Sequence, residues 1–226
     1  MKYEIVGEPY PAVVCHLQSG EQMKTEKGSM VWMDPVMKME TSTGGGGIGK
    51  MFGRVLSGES LFQNTYTAES DGMIAFGSSF PGQILPIEIK PGQEFIAQKM
   101  AFLASEMGVS LDTFFNQKLG GGFFGGEGFI MQRLSGQGMV FLECDGSLVR
   151  YELAAGQSMV VDTGNVLGFT GGVELRVERI QGAKTVVFGG EGLFNTILTG
   201  PGTIYLQTMP LSTIADVIAA HMPTQN

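Results

Sequence analysis

The sequence predicts an all-β fold built from three similar modules in one domain. Three observations carry this. Glycine-led motifs recur three times in the same order. Short stretches alternate apolar and polar with a period of two. Helical periodicity is nearly confined to the end of the chain. The expected arrangement is pseudo-threefold, as a β-prism or a short double-stranded β-helix barrel, with a short C-terminal helix.

The first repeated motif is glycine, then Glu or Gln, then a hydrophobic residue two further on. It occurs at Gly20-Glu21-Gln22-Met23, Gly92-Gln93-Glu94-Phe95 and Gly156-Gln157-Ser158-Met159, in steps of 72 and 64 residues. The second is a Gly-Glu pair before an apolar pair, at Gly58 to Phe62, Gly126 to Ile130 and Gly190 to Phe194, in steps of 68 and 64. The third is a glycine opening a short strand, at Gly72 to Phe76, Gly138 to Leu142 and Gly202 to Leu206, in steps of 66 and 64. Glycine is abundant, 35 of 226 residues, so any one motif carries little weight. Three co-linear series with nearly equal steps carry much more. They divide the chain into modules of about 11–88, 89–152 and 153–208. The surplus length of the first module falls in a Gly/Ser/Thr-rich loop signal around Thr41 to Ser57.

Within the modules, Val36 to Glu40, Ile87 to Lys90 and Val173 to Glu178 alternate apolar and polar, the pattern of a half-buried strand. Pro81-Gly82, Pro91-Gly92, Asp145-Gly146 and Pro201-Gly202 mark turns. Helix is expected over 212–221, where Ser212 is placed to cap, Ile214, Val217, Ile218 and His221 share one face, and Pro223 stops it. That helix is expected to cover a sheet edge. A second short helix is expected from Leu111 to Asn116.

Composition removes several function classes. Hydrophobic residues make up 43%, enough for a core, so disorder is excluded. Lys and Arg total 14 against 22 Asp and Glu, a net charge of −8. Nucleic-acid binding needs clustered cations to displace counterions, and the densest basic stretch, Lys24 to Lys27, is interrupted by Glu26. No nucleic-acid partner is expected. The N-terminal residues lack the apolar run of a secretory signal, and no stretch has the ~18 apolar residues of a membrane span. A cytoplasmic location is expected.

Longer strings resemble a known family. They are GSMVWMDP (Gly28 to Pro35), GESLFQNTYTA (Gly58 to Ala68), FGGEGFIMQRLSGQGMVFL (Phe124 to Leu142), VDTGNVLGFT (Val161 to Thr170) and GGEGLFNTILTGPGTIYLQT (Gly189 to Thr208). The resemblance, from about Pro11 to Thr208, is to uncharacterised bacterial and archaeal proteins related to the mitochondrial biogenesis protein altered-inheritance-of-mitochondria twenty-four. It implies a fold like that of the tryptophan-RNA-binding attenuation protein, a short double-stranded β-helix. It implies no established catalytic residues, ligand or cofactor. The mitochondrial member is associated with inner-membrane organisation and respiratory assembly. The chain has no Arg-rich, acid-poor transit segment at its start, so organelle targeting is not expected.

Candidate sites are few. Cys15 and Cys144 lie in apolar runs and read as small buried hydrophobes. His16 and His221 have no ligand spacing between them, and no catalytic, cofactor or metal site is expected. Cys15 and His16 are neighbours, but on a strand they face opposite sides. Glu59, Glu127 and Glu191 are related by the repeat. Each is expected to cap backbone amides in a glycine-rich turn; convergence on a cation is the alternative. The glycine runs Gly44 to Gly47 and Gly120 to Gly122 lack the Lys-Ser/Thr of a phosphate loop. Two apolar loops, 48–56 and 123–124, either close an end of the fold or, if exposed, form a subunit interface or a shallow membrane-surface contact. The leading expectation is a non-catalytic assembly or scaffold protein whose partner is itself, as a homo-oligomer. The alternative is a small-molecule- or metal-binding β-barrel, enzymatic or not. RNA binding ranks last.

Overall fold

A computed structural model describes residues 1–26, 28–42, 63–117, 128–179 and 194–221. A leading strand, β1 (Lys2–Val6), precedes three sets of six. The first set is β2 (Ala12–Leu17), β3 (Gln22–Glu26), β4 (Met30–Met33), β5 (Met37–Ser42), β6 (Gln63–Ala68) and β7 (Gly72–Gly77). The second is β8 (Gly82–Ile89), β9 (Phe95–Gln98), β10 (Phe102–Glu106), β11 (Val109–Gln117), β12 (Phe129–Gly136) and β13 (Gly138–Asp145). The third is β14 (Leu148–Leu153), β15 (Ser158–Asp162), β16 (Val166–Thr170), β17 (Glu174–Arg179), β18 (Phe194–Thr199) and β19 (Gly202–Gln207). One helix follows, α1 (Leu211–His221). The all-β fold with a short C-terminal helix is therefore present.

Each set is wound in the same way. Its first, sixth and third strands lie side by side, as in β2-β7-β4. Its fourth, fifth and second strands do too, as in β5-β6-β3. The chain thus passes back and forth between two sheets, the winding of a short double-stranded β-helix. Neighbouring modules then share sheets. β3 pairs with β10 and β9 pairs with β16, making two six-stranded sheets, β5-β6-β3-β10-β13-β8 and β11-β12-β9-β16-β19-β14. The outer sheets are β1-β2-β7-β4 and β15-β18-β17. No sheet among the described residues closes into a barrel.

Local chemistry explains the repeated turns. Gly20, Gly92 and Gly156 have φ of 86°, 79° and 76°, a left-handed conformation that glycine adopts without a Cβ penalty. The following residue closes the turn. Glu21 Oε2 accepts from Gln18 N at 2.8 Å, and Gln157 Oε1 accepts from Ala154 N at 3.0 Å. The recurrent Glu/Gln of the first motif is thus a turn residue.

Three apolar clusters fill the space between sheets. One gathers Val13, Met23, Tyr66, Phe76 and Phe141; the next Phe95, Phe102, Leu134, Val140 and Leu167; the third Phe129, Val166, Phe169, Leu198 and Ile204. Each fully buried side chain of this size contributes about 1.5–3 kcal/mol relative to exposure. Tyr66 and Phe76 meet edge to face, as do Phe114 and Phe169.

The expected helix from Leu111 to Asn116 is not formed; these residues belong to β11, paired along its length with β12. The strand carries a bulge between Thr113 and Phe115. The extra residue, Phe114, breaks strict alternation and leaves Leu111, Phe114 and Phe115 at helix-like spacing. The C-terminal helix starts one residue before its expected position, but Val217 and Ile218 on its apolar face are exposed.

Candidate functional site

Clefts open at equivalent places in the first two modules. In the first module a cleft of about 610 Å³ is lined by the amino terminus, Lys2, His16, Gln18, Glu21, Asp34, Asp71 and Met73. In the second, a cleft of about 390 Å³ is lined by Glu88, Lys90, Glu106, Gln137 and Met139. Leu17, Asp34 and Gly72 in one correspond to Ile89, Glu106 and Gly138 in the other. In the third module Leu153, Thr170 and Gly202 hold those places.

Most of the acidic lining is committed to the backbone. Asp34 Oδ2 accepts from Met73 N at 2.9 Å, and Glu106 Oε2 accepts from Met139 N at 2.7 Å. Thr170 Oγ1 does the same for Thr203 N at 2.9 Å. Each of these side chains, at or just past the end of the third strand of its module, thus clamps the amide of the second residue of the sixth. The glycine before that amide makes room: a Cβ on Gly138 would lie 3.0 Å from Glu106 Oε2, and one on Gly202 would lie 2.8 Å from Thr170 Oγ1. This is the physical reason for the third repeated glycine. The clamp itself was missed from sequence because Asp, Glu and Thr fill one role. Its signal was the spacing to that glycine, 32 residues from both Glu106 to Gly138 and Thr170 to Gly202, and 38 from Asp34 to Gly72 in the module with the longer loop.

Other cleft groups are similarly used. Asp71 Oδ1 accepts from Ser19 N at 3.0 Å. The terminal ammonium lies 3.8 Å from Glu21 Oε1. His16 is exposed, with Nε2 3.5 Å from Glu4 Oε1, while its neighbour Cys15 is fully buried. The two indeed face opposite sides. His221 sits at the end of α1, its Nδ1 2.8 Å from Val217 O. Among the described residues no group of three His, Cys, Asp or Glu side chains is arranged to hold a metal ion. Glu59, Glu127 and Glu191, and the apolar loops 48–56 and 123–124, lie outside the described residues.

Both cysteines are free and buried. Burial pushes each thiol up to about 12, with Glu106 adding to the effect at Cys15 and Asp145 at Cys144. Such thiols are poor nucleophiles, because the thiolate is the reactive form.

A second acidic pair lies where α1 meets the sheets. Glu143 Oε2 accepts from Ser79 N at 2.6 Å, Ser79 Oγ at 2.8 Å and Ser78 Oγ at 3.0 Å. Asp145 Oδ2 accepts from Leu211 N at 2.9 Å, anchoring the start of α1. Burial raises both carboxyls above the ordinary range, partly offset by these hydrogen bonds. The space among Ser79, Gln98, Glu143, Asp145, Gln207 and Leu211 is only about 30 Å³, too small for an organic ligand.

Apolar exposure is the remaining feature. Val31 and Trp32 on β4, Val160 on β15, and Val217 and Ile218 on α1 all face solvent. β4 pairs only with β7, and β15 pairs only with β18, among the described residues. Among those residues each presents a hydrogen-bonding edge with no partner strand, which natural sheets usually blunt with charge or proline.

No helix among the described residues is long and apolar enough to cross a membrane. The chain is 29% identical over 225 residues to an uncharacterised protein of Streptococcus pyogenes serotype M6, covering 96% of this chain and 89% of the relative. Its fold is similar to the crystal structure of a Streptococcus pyogenes protein, with a TM-score of 0.81 at 24% identity, covering 98% of this chain and 99% of the other. That likeness shows the fold alone. Residues 3–209 match the family described as mitochondrial biogenesis AIM24, and the chain belongs to that family.

Proposed function

We propose that this chain is a non-catalytic assembly protein that works through its surfaces and associates with itself. The observation that carries the reading is the apolar exposure on strands whose outer edges no described strand pairs, Val31 and Trp32 on β4 and Val160 on β15. Isolated surface hydrophobes are ordinary, but clustered ones on an open edge favour pairing with another chain. The clefts support catalysis poorly, since Glu21, Asp34, Asp71 and Glu106 already accept backbone hydrogen bonds and Glu88 pairs with Lys90. Two buried, unpaired thiols suit a reducing compartment, so we place the protein in the cytoplasm.

Multi-angle light scattering over the micromolar range tests this. The expected result is a mass that rises above the 24.1 kDa monomer with concentration. A monodisperse monomer throughout would remove the self-association. The small-molecule reading draws on the 610 Å³ cleft of the first module. Protection of Lys2 or the amino terminus from acylation by a metabolite mixture would favour it instead.

A further inference from the structure

The chain contains the same seam twice and the two halves of a third. At the first seam β10 lies against β3, with Ser105 opposite Lys24 and Glu106 opposite Met23. At the second β16 lies against β9, with Phe169 opposite Ile96 and Thr170 opposite Phe95.

Equivalent residues follow from the bulges and the turn glycines. The bulge between Met30 and Trp32 recurs between Phe102 and Ala104 and between Val166 and Gly168. Val31 therefore corresponds to Leu103 and Leu167, Trp32 to Ala104 and Gly168, and Met33 to Ser105 and Phe169. Counting from Gly20, Gly92 and Gly156, Val160 corresponds to Lys24 and Ile96. In these terms both inner seams use one register.

The outermost strands are the two missing halves. Among the described residues, β4 is a third strand with no second strand beside it, and β15 is a second strand with no third strand beside it. Their side chains differ from the inner ones in exposure. Leu103, Leu167, Ala104, Lys24 and Ile96 are 0–7% exposed. Their counterparts Val31, Trp32 and Val160 are 51%, 45% and 62% exposed. Positions covered at both inner seams are bare at the two ends.

We infer that separate copies of this chain join head to tail, β15 of one copy pairing antiparallel with β4 of the next in the register of the inner seams. Met33 then faces Val160, Asp34 faces Met159 and Trp32 faces Val161. This rests on the self-association proposed above and names its surface. The interface is heterologous, so copies add in one direction, closing into a ring or extending as a chain according to the angle per copy. Trp32 is the one departure from the inner pattern. The inner seam is tight at that place, where a Cβ on Gly168 would lie 2.6 Å from Ile96 O. The larger ring makes the seam between copies looser than those within, hence reversible.

The departure also supplies the probe, because Trp32 is the sole tryptophan of the 226 residues. The experiment uses the full chain in three forms: wild type, Val160→Asp, and Val31→Asp combined with Trp32→Phe. Both aspartates fall on exposed positions, so circular dichroism and urea melts should match wild type. Sedimentation velocity should show wild type associating and each variant monomeric, with association weakened about tenfold or more by an unpaired charge in the seam. Mixed at equal concentrations, the two variants should give a one-to-one dimer and nothing larger, since each keeps one sound edge. Trp32 of the Val160→Asp chain should shift to the blue on mixing. A cross-link gives a second readout: Met33→Cys and Val160→Cys chains should form a disulfide dimer when mixed and oxidised. Association of Val160→Asp equal to wild type, without the cross-link, would overturn the head-to-tail seam and leave an assembly protein with another interface. Loss of association in the β4 variant alone would mean β4-to-β4 pairing, which also overturns it. A monomeric wild type would overturn both readings.

Discussion

Replacing Glu106 by alanine removes the clamp on the sixth strand of the second module. The carboxylate accepts one amide hydrogen bond, from Met139 N at 2.7 Å, and both groups are half-buried. A hydrogen bond to a charged group contributes about 1.5–3 kcal/mol net, and partial exposure argues for the lower end, about 2 kcal/mol. For a chain of this size that lowers the melting temperature by about 4–8 °C. Thr170→Val in the third module loses a neutral bond to Thr203 N and should cost about 1 kcal/mol. Glu106→Gln keeps an acceptor and should fall between Glu106→Ala and wild type. The assay is urea unfolding, read as a change in midpoint at constant slope, which isolates stability from compactness. If Glu106→Ala stays within about 0.5 kcal/mol of wild type, the range of an ordinary surface change, the clamp does not hold the strand and the reasoning fails.

Three further outcomes are expected. Gly168→Ala places a Cβ 2.6 Å from both Ile96 O and the Phe95 ring, so it should destabilise by more than Gly156→Ala, whose Cβ meets nothing within 4 Å and pays only for a φ of 76°; equal losses in urea melts would deny that the inner seam is sterically tight. Glu143, raised by burial above its unfolded value of 4.5, adds stability that is full below that value and is lost as pH rises through its native one. The stability of Glu143→Gln relative to wild type should therefore grow with pH above about 4.5, and a constant difference between pH 4 and 8 would refute the sign. Cys15 and Cys144, pushed to about 12, should resist alkylation at pH 8 in the native protein and react fully in urea; rapid native labelling would contradict their burial.

Much of the fold was legible because its constraints are local. A left-handed turn needs glycine, and the start of each sixth strand needs a residue without a Cβ, so two of the three glycine series read straight through to structure at Gly20, Gly92 and Gly156 and at Gly72, Gly138 and Gly202. The end helix was legible from its periodicity. The bulge at Phe114 was not, because one inserted residue turns a period of two into something like a helical spacing. The seams were not legible either. β3 and β10 pair across about 80 residues, and nothing near Lys24 names its partner. Nor does sequence distinguish Val31 and Trp32, exposed, from the buried Val13 and Val14, since both stretches read as apolar strand.

The sharing of sheets between modules also bears on how the chain comes apart. Neither middle sheet belongs to one module: β5-β6-β3 and β10-β13-β8 complete each other, as do β11-β12-β9 and β16-β19-β14. Excising the middle module would cut both shared sheets to half-width and expose the core on each side. The shared sheets therefore couple each module's unfolding to its neighbour's.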